Sequence, residues 1–78
     1  MIVENYVRIH QGQCNTVPAV ITTSNNVDTC FKECESNPNI GFFAFNPINQ
    51  GCYCYPTADG CPDHTLMDYS AYKIIKGN

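Results

Sequence analysis

Six cysteines are the residues of this 78-residue sequence with the widest choice of chemistry. A cysteine can act as a nucleophile, bind a metal or form a disulfide, and spacing helps to distinguish these uses. Zinc sites typically use Cys-x-x-Cys pairs, whereas this sequence has Cys-x-x-x-Cys and Cys-x-Cys spacings instead. An even number of cysteines in a short chain is typical of a disulfide framework formed in an oxidising compartment. We therefore expect three disulfides, no metal and no other cofactor, the cysteines being Cys14, Cys30, Cys34, Cys52, Cys54 and Cys61.

The two histidines, His10 and His64, are the candidates for a general base near neutral pH. A nucleophilic mechanism would need a free cysteine or an activated serine beside one of them. Asp59, Asp63 and Asp68 surround His64 in sequence, but acids in a loop that contains Gly and Pro are usually solvated, and they do not match an EF-hand. No catalytic motif such as Gly-x-Ser-x-Gly or His-Glu-x-x-His is present. We therefore expect no enzymatic activity.

The charged residues are few and scattered. The formal net charge is −3, and only four side chains are basic. Nucleic acids and anionic membrane surfaces are bound by clusters of basic residues, which this sequence does not contain. No apolar run approaches the ~20 residues of a membrane span. We expect neither a nucleic-acid partner nor membrane insertion.

One helix is predicted at residues 26–36. Asn25 is a suitable N-cap, and Asp28 and Lys32 have the i,i+4 spacing of an ion pair. Asn37-Pro38 ends the helix, since the residue before a proline avoids helical geometry. The apolar stripe has the spacing i, i+3, i+4 and i+7 and consists of Val27, Cys30, Phe31 and Cys34.

The other predicted elements are strands. Residues 42–45 and 52–55 form a hairpin with its turn at 47–51. Three further strands are predicted, at 69–76, at 6–10 and at 19–23, the last of which is rich in β-branched residues.

The helix and the hairpin present cysteine pairs with matching spacing. Cys30 and Cys34 are one helical turn apart, which is ~5–6 Å. Cys52 and Cys54 lie ~7 Å apart on one face of a strand. A helix laid across the hairpin could therefore form two adjacent disulfides, and spacing alone permits both the direct and the crossed pairing.

The remaining cysteines, Cys14 and Cys61, would then join the N-terminal segment to the loop that follows the hairpin. Small Ala44, in the first hairpin strand, would let the helix approach closely.

The return strand should present its tyrosines on the face opposite its cysteines. Tyr53 and Tyr55 alternate with the cysteines, and we expect Phe43 and Phe45 to join them. Such an aromatic face could stack on sugar rings or on apolar side chains. The alternative is that these rings form a second small core, covered by the N-terminal segment or by the loop at 56–68.

The motifs of residues 6–75, in the order in which they follow along the chain, resemble those of the PAN/apple domain. The matching segments are Gly12-Gln13-Cys14, Asp28-Thr29-Cys30-Phe31-Lys32-Glu33-Cys34, Gly41-Phe42-Phe43-Ala44-Phe45-Asn46, Gly51-Cys52-Tyr53-Cys54-Tyr55 and Tyr69-Ser70-Ala71-Tyr72-Lys73-Ile74. The resemblance implies an α+β fold in which a five-stranded antiparallel sheet cradles one helix.

The resemblance also selects a disulfide pairing. In the family, the first helix cysteine usually bonds the cysteine that corresponds to Cys52, and the second bonds a cysteine just before the Phe-x-Phe strand. This sequence has Ile40 at that last position, and Cys54 should lie close to it across the hairpin. The implied bridges are Cys30–Cys52, Cys34–Cys54 and Cys14–Cys61.

Apple-like domains dock to proteins and, in some cases, bind sugars. The resemblance therefore implies a secreted or cell-surface recognition or adhesion module whose partner is an extracellular protein or a glycan, with protein the broader use of the family. Self-association is a third possibility, through edge strands at 69–76 or 6–10, unless Lys73 and Lys76 prevent such pairing.

We expect a single domain over residues 1–78. Because Met1-Ile2-Val3-Glu4 runs into polar sequence without a signal peptide, while disulfides require export, we interpret the chain as a mature or excised segment.

Overall fold

The computed structural model describes residues 5–75, and all elements below lie within that range. In chain order the elements are β1 (Tyr6–Gln11), β2 (Gln13–Cys14), β3 (Val20–Thr23), α1 (Val27–Glu35), β4 (Ile40–Phe45), β5 (Gly51–Pro56), a 3-10 turn (Thr57–Asp59), β6 (Asp63–His64) and β7 (Ser70–Ile74). The predicted fold class is confirmed: the chain is α+β, with antiparallel sheets, one described helix and three disulfides.

Five strands form the main sheet, in the order β1-β7-β4-β5-β3, and β2 pairs with β6 in a separate two-stranded sheet. The predicted strand at 69–76 corresponds to β7, which lies between β1 and β4. It is therefore not an edge strand, and the expectation that it could pair between copies is wrong. Lys73 lies in this interior strand, so it does not prevent pairing at a sheet edge. Lys76 lies outside the described residues. The edges of the main sheet are β1 and β3.

The helix begins one residue later than predicted. Asn26, and not Asn25, is the N-cap, because its side-chain oxygen accepts a hydrogen bond from the Thr29 amide at 2.9 Å. The predicted i,i+4 ion pair is present, with Lys32 Nζ 3.4 Å from Asp28 Oδ2. Of the predicted stripe, Cys30, Phe31 and Cys34 are buried against the sheet and Val27 is partly buried. Within residues 5–75 no helix has the length and apolar character needed to cross a membrane.

Two disulfides hold the helix on the hairpin. Cys30 bonds Cys52 and Cys34 bonds Cys54, as the resemblance implied, and the two bridges are adjacent because Cys34 Sγ lies 3.9 Å from Cys52 Sγ. The third bridge, also as expected, is Cys14–Cys61. None of the six cysteines, all within the described residues, is free.

The sheet has a core on each face. The core under α1 contains both bridges to the helix, together with Phe31, Ile40, Phe43, Phe45 and Ile74. The core on the opposite face contains Cys14, Ala44, Tyr55 and Ala71. Ala44 therefore does not provide the close approach to the helix that we expected. It lies on the other face because side chains alternate along β4, where Phe43 and Phe45 take the helix side.

Candidate functional site

The four aromatic residues predicted to share one face are divided between two. Phe43 is paired with Cys54, and Phe45 with Cys52, across the β4–β5 ladder. Directly opposed residues point to the same side of a sheet, so both phenylalanines face the helix. They are 0% and 4% exposed. The expectation that Phe43 and Phe45 join the tyrosines is therefore wrong, and neither ring reaches the surface.

Tyr55 does lie on the face opposite the cysteines, but it is covered. Its exposure is 1%, and it packs in the second core with Cys14, whose segment pairs with β6 above the sheet. Burial raises the pKa of Tyr55 to about 12, although a backbone hydrogen bond from Cys14 to the phenol opposes the shift. The second-core alternative thus applies to Tyr55: the N-terminal segment covers this ring.

Tyr53 is the one predicted aromatic residue that remains partly accessible. Its ring packs edge-on against Tyr69, with centroids 5.7 Å apart, and a hydrogen bond that the Tyr53 hydroxyl donates to the Tyr69 side chain raises the pKa of Tyr53, because it favours the neutral phenol. Gly51 makes room for this pair, since a Cβ there would lie 2.7 Å from Tyr69 Oη. Ile21, 64% exposed, is directly opposite Tyr53 on β3. We call Ile21, Tyr53 and Tyr69 the tyrosine patch.

A second surface on the same face crosses the other half of the sheet. Val7, Lys73 and Phe42 are opposed across β1, β7 and β4, so their side chains form a row on the side away from α1. This row lines a groove of about 560 Å³ to which Ile75 also contributes. We call it the apolar groove.

The turn after β5 forms one side of this groove. Thr57 donates its amide to Asn39 O at 2.9 Å, which holds the 3-10 turn beside the start of β4. Gly41 lies directly under Thr57, and a Cβ at Gly41 would collide with the Thr57 side chain. The glycine therefore lets the turn approach the sheet closely enough to close that side of the groove.

Lys73 gives the apolar groove a positive charge. The side chain lies between Val7 and Phe42, so its aliphatic stem can pack on them while the ammonium reaches solvent. Within residues 5–75 the ion pairs are His10–Asp63 and Lys32–Asp28, neither of which involves Lys73. A cation without an ion-pair partner among the described residues, in an apolar surround, is suited to bind a carboxylate attached to an apolar group.

The residues that line the apolar groove, and Tyr69, were not among the predicted site residues. Each residue is ordinary in the sequence: Val7 lies in the predicted strand at 6–10, Lys73 in a strand predicted to be an edge, and Tyr69 at the start of that strand. The strand order brings Val7 and Phe42, which are far apart in the chain, to either side of Lys73.

Both histidines lie in or beside strand β6. His10 lies under the loop that carries Cys61: its Nε2 is 3.2 Å from Cys61 O, and its Nδ1 is 3.7 Å from Asp63 Oδ1. His64 is exposed on β6, opposite Gln13. His10 also contacts Gln11 O at 2.9 Å and Cys61 Sγ at 3.6 Å, and in the described part of the chain no hydroxyl is hydrogen-bonded to it.

The sulfur atoms of Cys30, Cys34 and Cys52 lie within 4.8 Å of one another, close enough for three thiolates to share a metal ion. All three are bonded in disulfides, so the proximity follows from the two adjacent bridges.

Comparison of the whole sequence with models of known protein families and with curated proteins finds no match in either set.

Proposed function

We propose that this chain is a secreted, non-catalytic recognition module of the PAN/apple type, and that its apolar groove binds an extracellular protein. The observation that carries the proposal is the row of Val7, Lys73 and Phe42 across three strands, beside Ile75. Val7 is 46% exposed and Ile75 is 44% exposed, so apolar surface is left open on both sides of a cation. A five-stranded antiparallel sheet over one bridged helix is what the PAN/apple resemblance leads us to expect, and it supports the proposal.

The chemistry of the groove defines the partner. A protein segment with an aliphatic or aromatic side chain next to an Asp, a Glu or a C-terminal carboxylate would fill the apolar floor and pair with Lys73. The net charge of −3 would repel acidic partners elsewhere on the surface, so the position of Lys73 should direct them to the groove.

A displayed peptide library tests this function. Selection on the oxidised protein should enrich segments that combine an apolar residue with a carboxylate, and Lys73→Glu should weaken the selected peptides by roughly tenfold or more. Lys32→Glu is the matched control because it makes the same charge change on α1, on the far side of the sheet. Enrichment of basic peptides, or equal loss in both variants, would contradict the proposal.

Carbohydrate binding is the second candidate, and the tyrosine patch is the observation that favours it. Tyr53 and Tyr69 combine an accessible ring with phenolic hydroxyls, the combination that stacks on a sugar and bonds its hydroxyl groups. Saturable binding to one sugar class on a glycan array, lost in Tyr53→Ala but kept in Lys73→Glu, would favour this function. A peptide ligand that depends on Lys73, with no array signal, would favour the first.

A further inference from the structure

The β3 edge of the main sheet has backbone groups that no described strand pairs. Ser24 N donates to Gln50 O at 2.9 Å, which continues the β3–β5 ladder. In an antiparallel ladder, alternate residues direct their amide and carbonyl groups to the same neighbour. Thr22 and Val20 therefore bond β5 as Ser24 does, and the backbone groups of Ile21 and Thr23 point outward.

The two edges of the sheet differ in protection against pairing with another chain. The other edge, β1, carries Arg8 and has a register shift between Arg8 and His10, two features that discourage strand addition. On the β3 side, residues 11–27 include no charged residue, and the four residues of β3 itself are β-branched. The charge that would exclude a second strand is thus absent from this edge.

We infer that β3 is a self-association edge, on which the β3 strand of a second copy of this chain adds in antiparallel orientation. Because Ile21 and Thr23 both point outward and are two residues apart, the edge is complementary to itself. Ile21 of each copy would pair with Thr23 of the other, and the two Thr22 residues would face each other on a twofold axis. This register forms four backbone hydrogen bonds and joins two five-stranded sheets into one.

Exposed apolar side chains near the β3 edge also support pairing with a second copy of the chain. Ile21 is 64% exposed on the face of the tyrosine patch, and Val20 is 40% exposed on the helix face. Pairing would cover apolar surface on both faces of the new sheet. The contact is only four residues long, well below the area of a stable dimer, so the association should be weak and concentration-dependent.

Pairing at β3 would leave the apolar groove of each copy exposed. A twofold axis perpendicular to the sheet keeps both helices on one face and both grooves on the other. The grooves lie at the β1 side of each copy, away from the new contact, and stay open. A pair of copies would therefore offer two grooves in the same direction, which suits a partner that displays repeated sites.

Sedimentation velocity over concentrations from about 10 µM to about 1 mM, the range suited to a small interface, measures the association. The sedimentation coefficient of the unmodified protein should rise with concentration, and Ile21→Lys should abolish the rise because each copy then brings a positive charge to the edge. Met67→Lys is the matched control, since it makes the same kind of substitution at a residue that is 80% exposed and should leave the rise intact.

Amide hydrogen exchange locates the contact and checks the fold of each variant. The amides of Ile21 and Thr23 should exchange more slowly as concentration increases, while the Thr22 amide, already bonded to β5, should not change. Unaltered exchange across β4 and β5 would show that Ile21→Lys remains folded. A protein that is monomeric throughout the range, or an association that persists in Ile21→Lys, would overturn the inference.

Discussion

The two bridges between α1 and the hairpin should be coupled in their effect on stability. The ring between the two bridges is small, since it contains only residues 30–34 and 52–54. Once either bridge is present, the other therefore closes a ring of about eight residues. In the chain-entropy account such a ring contributes about 2.5 kcal/mol. A first bridge, closing a loop with a sequence separation of 20 or 22, contributes about 3.4 kcal/mol.

The expected result is a non-additive double-mutant cycle. Each paired Cys→Ala removal, either Cys30 with Cys52 or Cys34 with Cys54, should lower the free energy of unfolding by about 2.5 kcal/mol through loop entropy. Removal of all four should cost about 6 kcal/mol, which is about 1 kcal/mol more than the sum of the separate removals. The loss of buried sulfur adds to every variant, but it largely cancels in the cycle because all four cysteines are fully buried.

Urea denaturation at neutral pH, with peptide mapping to verify that Cys14–Cys61 remains formed, gives the four free energies. Strict additivity would show that each bridge acts independently of the other. A second removal that costs less than the first would show that the helix had already left the sheet. Either result would refute the reasoning from ring size.

Three further predictions concern local structure. Asn26→Ala should lower the free energy of unfolding by about 1 kcal/mol because the helix loses its cap, whereas Asn25→Ala should change it by less than about 0.5 kcal/mol, both measured in urea. Burial raises the pKa of Tyr55 to about 12 from the 10 of an exposed tyrosine, so its neutral form is favoured in the folded state. The resulting stability should be complete below pH 10 and fall as the pH rises toward 12, and Tyr55→Phe should flatten this slope in denaturation measured at each pH. Gly12→Ala should destabilise the protein more than Gly60→Ala in thermal melts. Both glycines have positive φ, but only a Cβ at Gly12 would meet the backbone of β6, whereas a Cβ at Gly60 would have open space. Equal losses would mean that the positive φ alone determines the cost of the substitution.

Local sequence patterns predicted the elements but not which way the phenylalanines face. Alternation shows that Phe43 and Phe45 share a side of β4, yet the side is decided by the register with β5. That register depends on the connecting turn, where Asn46 Oδ1 accepts the Ile48 amide at 2.8 Å and Gln50 adopts a φ of 64°. A shift of one residue would have reversed the whole strand. Neither this hydrogen bond nor the positive φ of Gln50 has a sequence signal strong enough to fix the register.

Strand order is the other property that local patterns could not give. The last strand, β7, inserts between β1 and β4, a choice made by contacts between residues more than sixty positions apart, such as Arg8 Nε to Ser70 Oγ at 3.1 Å. The apolar groove follows from this insertion, and no local pattern in the sequence indicates it. The disulfides were predictable because the helix and strand spacings limited the pairs and the PAN/apple resemblance chose among them.

The three bridges cover the two faces of the sheet to different extents. Cys30–Cys52 and Cys34–Cys54 fasten α1 over the helix face, so the rings there are buried. Cys14–Cys61 holds a much smaller cover over the middle of the other face, where Tyr55 and Ala71 pack. Because that cover reaches neither side of the sheet, Val7 and Phe42 stay open at one end and Tyr53 at the other. A larger cover would have stabilised so small a domain further, and its absence at both ends leaves apolar surface open there, which supports the two proposed binding surfaces.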